Sequence, residues 1–293
     1  MFKSTKRTVY RWLGAHGVFN NSLSPVINLR YQKYAEQCRK QAKLSCDQFS
    51  DMAPDPITEP QHIRQIIPAS MACELSQRIS KRIAEQQSLM VEPDNPVFIG
   101  IKNPLSLLGD AVIDIFESPE LDDSIRRHFG GFYKIAWLDC YRTVPSDVRK
   151  QAWLWHSDNV PAGLLKVQVL LTDASRNTGA IEILPRSQTL AFRKAGYFGD
   201  IVSERLAELS DFAKQHNIDF SPNCVEAKAG DVLLFDNNHL HRANPPKQDF
   251  RDALTILLFP SAIPWREAYQ LSGKAAVEHK PGGYPLYPQN LHQ

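Results

Sequence analysis

From Phe132 to Pro260 the chain is written in short apolar runs set off by Gly, Pro, Asn and Asp, and that punctuation constrains the fold more than anything else in it. The runs are Phe132–Thr143, Ala152–His156, Lys166–Thr172, Ala180–Leu184, Val232–Phe235, His239–Ala243 and Ala253–Phe259, all rich in Val, Ile, Leu or aromatic residues. One interruption, Phe192–His216, holds a helical piece marked by Ile201, Leu206, Leu209 and Phe212. Upstream the periodicity changes. Met71, Leu75, Ile79 and Ile83 recur four apart over residues 68–90, behind a Pro68-Ala69-Ser70 start, which predicts an amphipathic helix. Further helices are expected over Leu105–Phe116 and after Ser118-Pro119-Glu120, the latter carrying Leu121 and Ile125. Many short strands behind a helical front end predict an α+β, mainly β chain: a jelly roll, or double-stranded β-helix, backed by N-terminal helices.

At 293 residues, 43% hydrophobic and 23% charged, the chain can bury a sizeable core in one large domain or two small ones. The reading adopted is a basic extension and linker over residues 1–60, then a single catalytic domain over 61–293 with its jelly-roll core at about 130–262. Asp51–Pro60, acid- and proline-rich, reads as the linker, and the Pro- and Gly-rich tail around Pro281-Gly282-Gly283-Tyr284-Pro285 is expected to wrap the surface. Charge is uneven. Residues 1–46 hold nine Lys or Arg against one acid, Glu36, so net +8, which leaves −6 for the rest. Residues 28–44 look helical, with Leu29, Tyr34 and Cys38 as a thin apolar stripe. Three readings of this front end stand open: an extension packed on the body, a basic surface making weak peripheral contact with anionic lipid through residues 1–45, or an organellar presequence. The overall net charge of +2 gives no support to a nucleic-acid partner. Five scattered cysteines, Cys38, Cys46, Cys73, Cys140 and Cys224, form no CxxC pair and argue for a reducing compartment. With no apolar run of membrane-spanning length, a soluble, cytoplasmic protein is expected.

The chemistry concentrates in Trp155-His156-Ser157-Asp158-Asn159. His156 and Asp158 lie two apart at the end of what reads as a strand, where positions i and i+2 face the same way. The third candidate is about 85 residues on, in the run from Gly230-Asp231 to His239-Leu240-His241. Two histidines and a carboxylate with open positions left over suit non-haem Fe(II). His239 and His241 would both face the metal on strand alternation. Past them, Arg251 stands at the head of the next strand, and its planar fork can clamp a carboxylate through two parallel hydrogen bonds.

These residues resemble the phytanoyl-CoA dioxygenase-like branch of the Fe(II)/2-oxoglutarate oxygenases. The resemblance runs from about Phe132 to Pro260, through Trp155-His156-Ser157-Asp158, Leu165–Asp173, Thr178–Ser187, Gly230-Asp231 to His241, and Arg251. It implies a cupin-like jelly roll, Fe(II) held by His156, Asp158 and His241 with His239 as the rival third ligand, and 2-oxoglutarate as cosubstrate on Arg251. It also implicates Thr143, Trp153, Gln168 and Thr255 in the cosubstrate pocket. The implied reaction consumes O₂ and 2-oxoglutarate, releases succinate and CO₂, and hydroxylates a C–H bond of a small-molecule or lipid-linked metabolite. Two departures stand out. Pro185-Arg186-Ser187-Gln188 replaces the family's Pro-Gly-Ser-His, and Ala243 stands where a small hydroxyl residue often assists the arginine. Asp158 disfavours a halogenase, which needs a small residue there. A cupin-like metal enzyme that uses no 2-oxoglutarate, and an inactive binding module on the same fold, are the alternatives.

Overall fold

A computed structural model describes residues 2–17, 19, 21–92, 95–147 and 151–280. The expected tail Pro281–Pro285, and Val18 in the front end, lie outside the described residues. Two helices open the chain, α1 (Phe2–Ala15) and α2 (Pro25–Ser45). Strand β1 (Gln61–Ile63), helix α3 (Ala69–Ala84), strands β2 (Leu89–Glu92) and β3 (Asn95–Ile101), and helices α4 (Pro104–Leu108) and α5 (Pro119–Phe129) follow. The strand-rich half comprises β4 (Tyr133–Thr143), β5 (Leu165–Leu170), β6 (Ile181–Ile183), α6 (Arg186–Lys194), α7 (Ser210–Gln215), β7 (Asn223–Val225), β8 (Val232–Asp236), β9 (His241–Ala243) and β10 (Arg251–Pro260). Helices α8 (Trp265–Ser272) and α9 (Lys274–Glu278) close it.

The strands form two facing antiparallel sheets of a jelly roll. The larger runs β1-β8-β5-β10-β4-β3-β2 and the smaller β7-β6-β9. Two-residue alternation, broken by a register shift where Leu257 and Leu258 of β10 meet Trp137 and Ile135 of β4, assigns the side chains of the large sheet to its faces. Leu138 and Cys140 on β4, Val167 and Val169 on β5, Val232 and Leu234 on β8, and Leu254, Ile256 and Leu258 on β10 pack outward, beneath Leu75 and Ile79 of α3 and Leu121 and Ile125 of α5. Their neighbours point inward. Leu170, Leu233 and Phe235 meet Ile181 and Ile183 of the small sheet in a second core, and the remaining inward positions line the site. Even the outward charge is paired. Arg142 grips Asp252 through Nε and Nη2 at 2.7 and 2.6 Å, while Ser76 of α3 donates to the same carboxylate at 2.7 Å.

Several expectations change in detail. Leu105–Phe116 is not one helix: Gly109, at φ +88, separates α4 from a 3-10 stretch over Asp110–Glu117. Ala152–His156 is not a strand either, being a 3-10 turn over Gln151–Trp153 followed by a single β-bridge at His156. The Asp51–Pro60 stretch is bonded down rather than spanning open space. Asp55 N–H reaches Arg127 O at 2.8 Å, Ile57 N–H reaches His128 Nδ1 at 3.0 Å, and Arg186 N–H reaches Thr58 O at 3.1 Å. Gly230 holds φ +95 with Ile67 N–H on its carbonyl at 3.0 Å; a Cβ there would lie 2.0 Å from Ile67 O, so only glycine fits. Arg186 carries no left-handed φ. It simply begins α6, so the glycine missing after Pro185 is not needed.

Candidate active site

The inward face of the large sheet is the floor of the site. Pairing sets Arg251 opposite Thr143 and Thr255 opposite both Asp139 and Gln168. Every second residue of three adjacent strands therefore projects into one space: Trp137, Asp139, Tyr141 and Thr143 from β4, Lys166 and Gln168 from β5, and Arg251, Thr255 and Leu257 from β10. The metal-ligand candidates come from the opposite side. His156 sits on the loop before β5 and His241 on β9, and the two exchange N–H···O=C bonds of 2.9 Å in each direction. That one bridge brings residues remote in sequence together, with their rings 4.3 Å apart.

His156, Asp158 and His241 converge, one ligand atom from each lying within 4.8 Å of the others. Asp158 Oδ1 is 3.7 Å from His156 Nε2 and 4.0 Å from His241 Nε2. The reason given by strand alternation does not hold, because no strand carries His156 and Asp158. Instead Asn159 takes φ +51 just past Asp158, and Asp158 N–H bonds Asn237 O at 3.2 Å. The tautomers are fixed by the backbone. His156 Nδ1 lies 2.8 Å from Leu154 O, and His241 Nδ1 lies 2.8 Å from His239 O. A carbonyl only accepts, so both Nδ1 atoms carry the proton and both Nε2 lone pairs face Asp158. Burial pushes His156 down to about 4 and, with His156 and Lys166 adding repulsion, holds His241 well below its ordinary value. Both imidazoles are thus neutral and able to ligate at neutral pH. Burial works against the charge of Asp158, but the Lys166 ammonium ion-paired to it outweighs that burial and holds the carboxyl well below the usual range.

His239, the rival ligand, is elsewhere. β9 begins only at His241, so alternation does not apply to His239; its ring is fully buried, and burial and then Arg193 and Arg186 push it down to about 3.

A cation already sits at the triad. Lys166 Nζ is ion-paired to Asp158 Oδ2 and stands 3.4 Å from His241 Nε2. This stand-in shows the position to be one where positive charge is favourable, and the donor set of two imidazoles and a carboxylate suits Fe(II). Beside it lies an inner cavity of about 90 Å³ lined by His156, Lys166, His241, Thr143, Trp153, Gln168, Ile181, Ala243, Arg251 and Thr255, among others. All of the candidate cosubstrate residues are brought together there. Arg251 is only 2% exposed, its Nη1 donates to Gly179 O, and its Nε has no partner; Gln168 Oε1 is likewise unpartnered. A buried guanidinium with a free donor and no carboxylate among the described residues fits one end of a dicarboxylic acid. Gln168 Nε2 and Thr255 Oγ1 both donate to Tyr141 Oη, at 2.8 and 3.3 Å, which fixes that wall.

Sequence reasoning missed Lys166, Tyr141, Asp139 and Arg205. Lys166 was detectable: it alternates in phase with Gln168 in an otherwise apolar strand. Arg205, carried by the interruption after β6, had no such signal.

Known proteins resemble this chain in family profile and in fold. Residues 109–251 match the profile of the family described as Phytanoyl-CoA dioxygenase (PhyH). No curated protein sequence matches the chain. Among solved structures, the non-heme alpha ketoglutarate dependent carbocyclase SnoK from nogalamycin biosynthesis superposes with TM-score 0.52 at 16% identity, over 73% of this chain and 85% of that one. EctD from S. alaskensis with bound Fe superposes with TM-score 0.50 at 16% identity, over 83% and 86%. At such identity the structural likeness speaks for the fold.

Proposed function

We propose that this chain is a non-haem iron and 2-oxoglutarate-dependent dioxygenase of the phytanoyl-CoA dioxygenase-like kind, which hydroxylates a C–H bond of a small-molecule or lipid-linked metabolite with release of succinate and CO₂. The observation that carries this reading is the adjacency of the His156–Asp158–His241 triad to a cavity holding an unpaired, buried Arg251. His156, Asp158 and His241 would hold the iron on one face. Bound iron and 2-oxoglutarate together supply O₂ activation and the oxidising power. The chain's own residues position and protect. Leu154 O and His239 O fix the ligand tautomers, Arg251 takes the distal carboxylate, and Thr143, Trp153, Gln168 and Thr255 shape the chamber and keep water out. Residues 61–293 would be the catalytic unit and 1–60 an extension laid over it.

The test is 2-oxoglutarate consumption without added substrate. We expect Fe(II)-dependent succinate release from the purified protein, lost in His156→Ala, Asp158→Ala and His241→Ala and retained in His239→Ala. Loss in His239→Ala with retention in His241→Ala would overturn the ligand set, and no Fe(II)-dependent succinate at all would favour a metal site that does not use the cosubstrate.

A further inference from the structure

Outside the triad the inner cavity opens into a larger chamber of about 560 Å³. Apolar surface comes from Phe98, Trp137, Val160 and Leu257, and charge from Asp139, Lys166, Arg205 and Lys280 beside the ligand Asp158. Lys166 is held by Asp158. Lys280 lies 5.4 Å above the Trp137 ring, and Asp139 is pushed up to about 6 by burial against the pull of the Cys140 backbone hydrogen bond and then of Lys280. Arg205 is tied to the backbone. Its Nε and Nη1 donate to the carbonyls of Gly199 and Gln151 at 3.0 and 3.3 Å, and no carboxylate pairs with it among the described residues. Asp200, nearby in sequence, is occupied by Arg11 at 2.7 Å, Arg7 at 3.3 Å and Ser22 at 2.5 Å. Burial outweighs the more distant attraction of Asp158, Tyr197 and Asp200 and lowers the guanidinium from its ordinary value, and a planar fork in a chamber wall is suited to a carboxylate or phosphate. Iron at the triad would add further positive charge to the same space.

We propose that the outer chamber binds a small molecule bearing one anionic group, a carboxylate or a phosphate, which is taken by Arg205 while the apolar part lies against Trp137, Val160 and Leu257. The proposal rests on reading the inner cavity as the cosubstrate site. It selects acidic metabolites among the candidates for oxidation and makes Arg205 the residue that orients them. Arg205 lies on the interruption between β6 and β7, so the anion would be read by the part of the fold outside the sheets.

The test uses full-length protein loaded anoxically with Fe(II) and 2-oxoglutarate, and calorimetric titration with phenylacetate, phenyl phosphate and the uncharged phenylacetamide. Filling the inner cavity first keeps the probes out of it. We expect at least one anion to bind tenfold or more tightly than the amide, with the better of the two identifying the group. In Arg205→Gln that preference should shrink to threefold or less with amide binding unchanged, and Arg205→Lys should fall between. Equal binding of anions and amide by the wild type overturns the proposal, as does a parallel loss of all three probes in Arg205→Gln, which would make the arginine a brace for Gly199 and Gln151. Should Arg205→Gln fail to fold, the wild-type preference and Arg205→Lys decide. Failure of the protein to take up 2-oxoglutarate in the loading step would instead count against the oxygenase reading, and the probes can then be titrated without it.

Discussion

Arg251 is the residue at which sequence and structure meet most directly. It heads β10, faces inward on strand alternation, and is buried with an unpartnered Nε. Removing a charge-assisted clamp of this kind is worth about 1.5–3 kcal/mol, so Arg251→Ala should raise the 2-oxoglutarate requirement on the order of ten- to a hundredfold. Steady-state succinate release at varied cosubstrate checks this; an unchanged requirement would remove the arginine from the pocket. His128 gives a prediction about stability rather than chemistry. Buried between Ile57 N–H and Gly163 O, it is pushed down to about 4 by that burial. A histidine with a depressed native value favours the fold fully above its ordinary 6.5 and loses that contribution as the pH falls towards 4. The loss amounts to roughly 3 kcal/mol across that window. Urea midpoints at pH 7 and pH 5 should therefore separate, and in His128→Gln they should separate by about one proton's worth less.

At the scale of elements, strand periodicity carried most of the legible information. Lys166, Gln168, Thr255 and Arg251 were bound to share a face once β5 and β10 paired, and the inward and outward alternation could be read before any register was known. The His156 loop could not be read this way. Its geometry depends on a bridge to His241 and on Gly199, whose position in the fold is set by tertiary contact. At φ +64, a Cβ on Gly199 would fall 2.7 Å from His156 Cα and 2.9 Å from Trp155 O. Gly199→Ala should therefore push the interruption off the ligand loop. We expect Fe(II) affinity to fall about ten- to a hundredfold, the range for disturbing the support of a metal ligand, while the outward core of the large sheet keeps its cooperative unfolding. Metal titration beside denaturant melts separates the two effects; a parallel loss of both would show the loop and the sheet to be one unit.

Across the whole molecule, the front end is the part composition described least well. α1 does not stand apart: Arg7 and Arg11 pair with Asp200, and Arg11 also with Glu204, so the helix is fastened to the interruption between β6 and β7. α2 buries Tyr31, Tyr34 and Cys38 against Leu257 and Phe259 of β10. The contacts are those of an extension packed on the body, and part of its basic charge is spent on ion pairs within the fold, which composition alone does not show. What stays outward is Trp12, 58% exposed, with Val9, Val26 and Leu29, and no helix among the described residues is long and apolar enough to cross a membrane. We propose that this surface makes weak contact with anionic lipid. Co-sedimentation with phosphatidylserine vesicles should be measurable at low salt and lost at high salt, and Trp12→Ala should weaken it; no binding at low salt removes the idea. The division of labour within the site has a further consequence. Arg251 and its neighbours are ruled into the sheet by register, whereas Arg205 rides on a connecting segment anchored by Trp155 N–H on Leu206 O at 2.9 Å and by Tyr197 and Leu209 buried with Trp155 and Leu240. Because the same segment presses Gly199 against the backbone of His156, a change of client compound by rewriting it is expected to be confined to positions such as Arg205 that leave Gly199 in place.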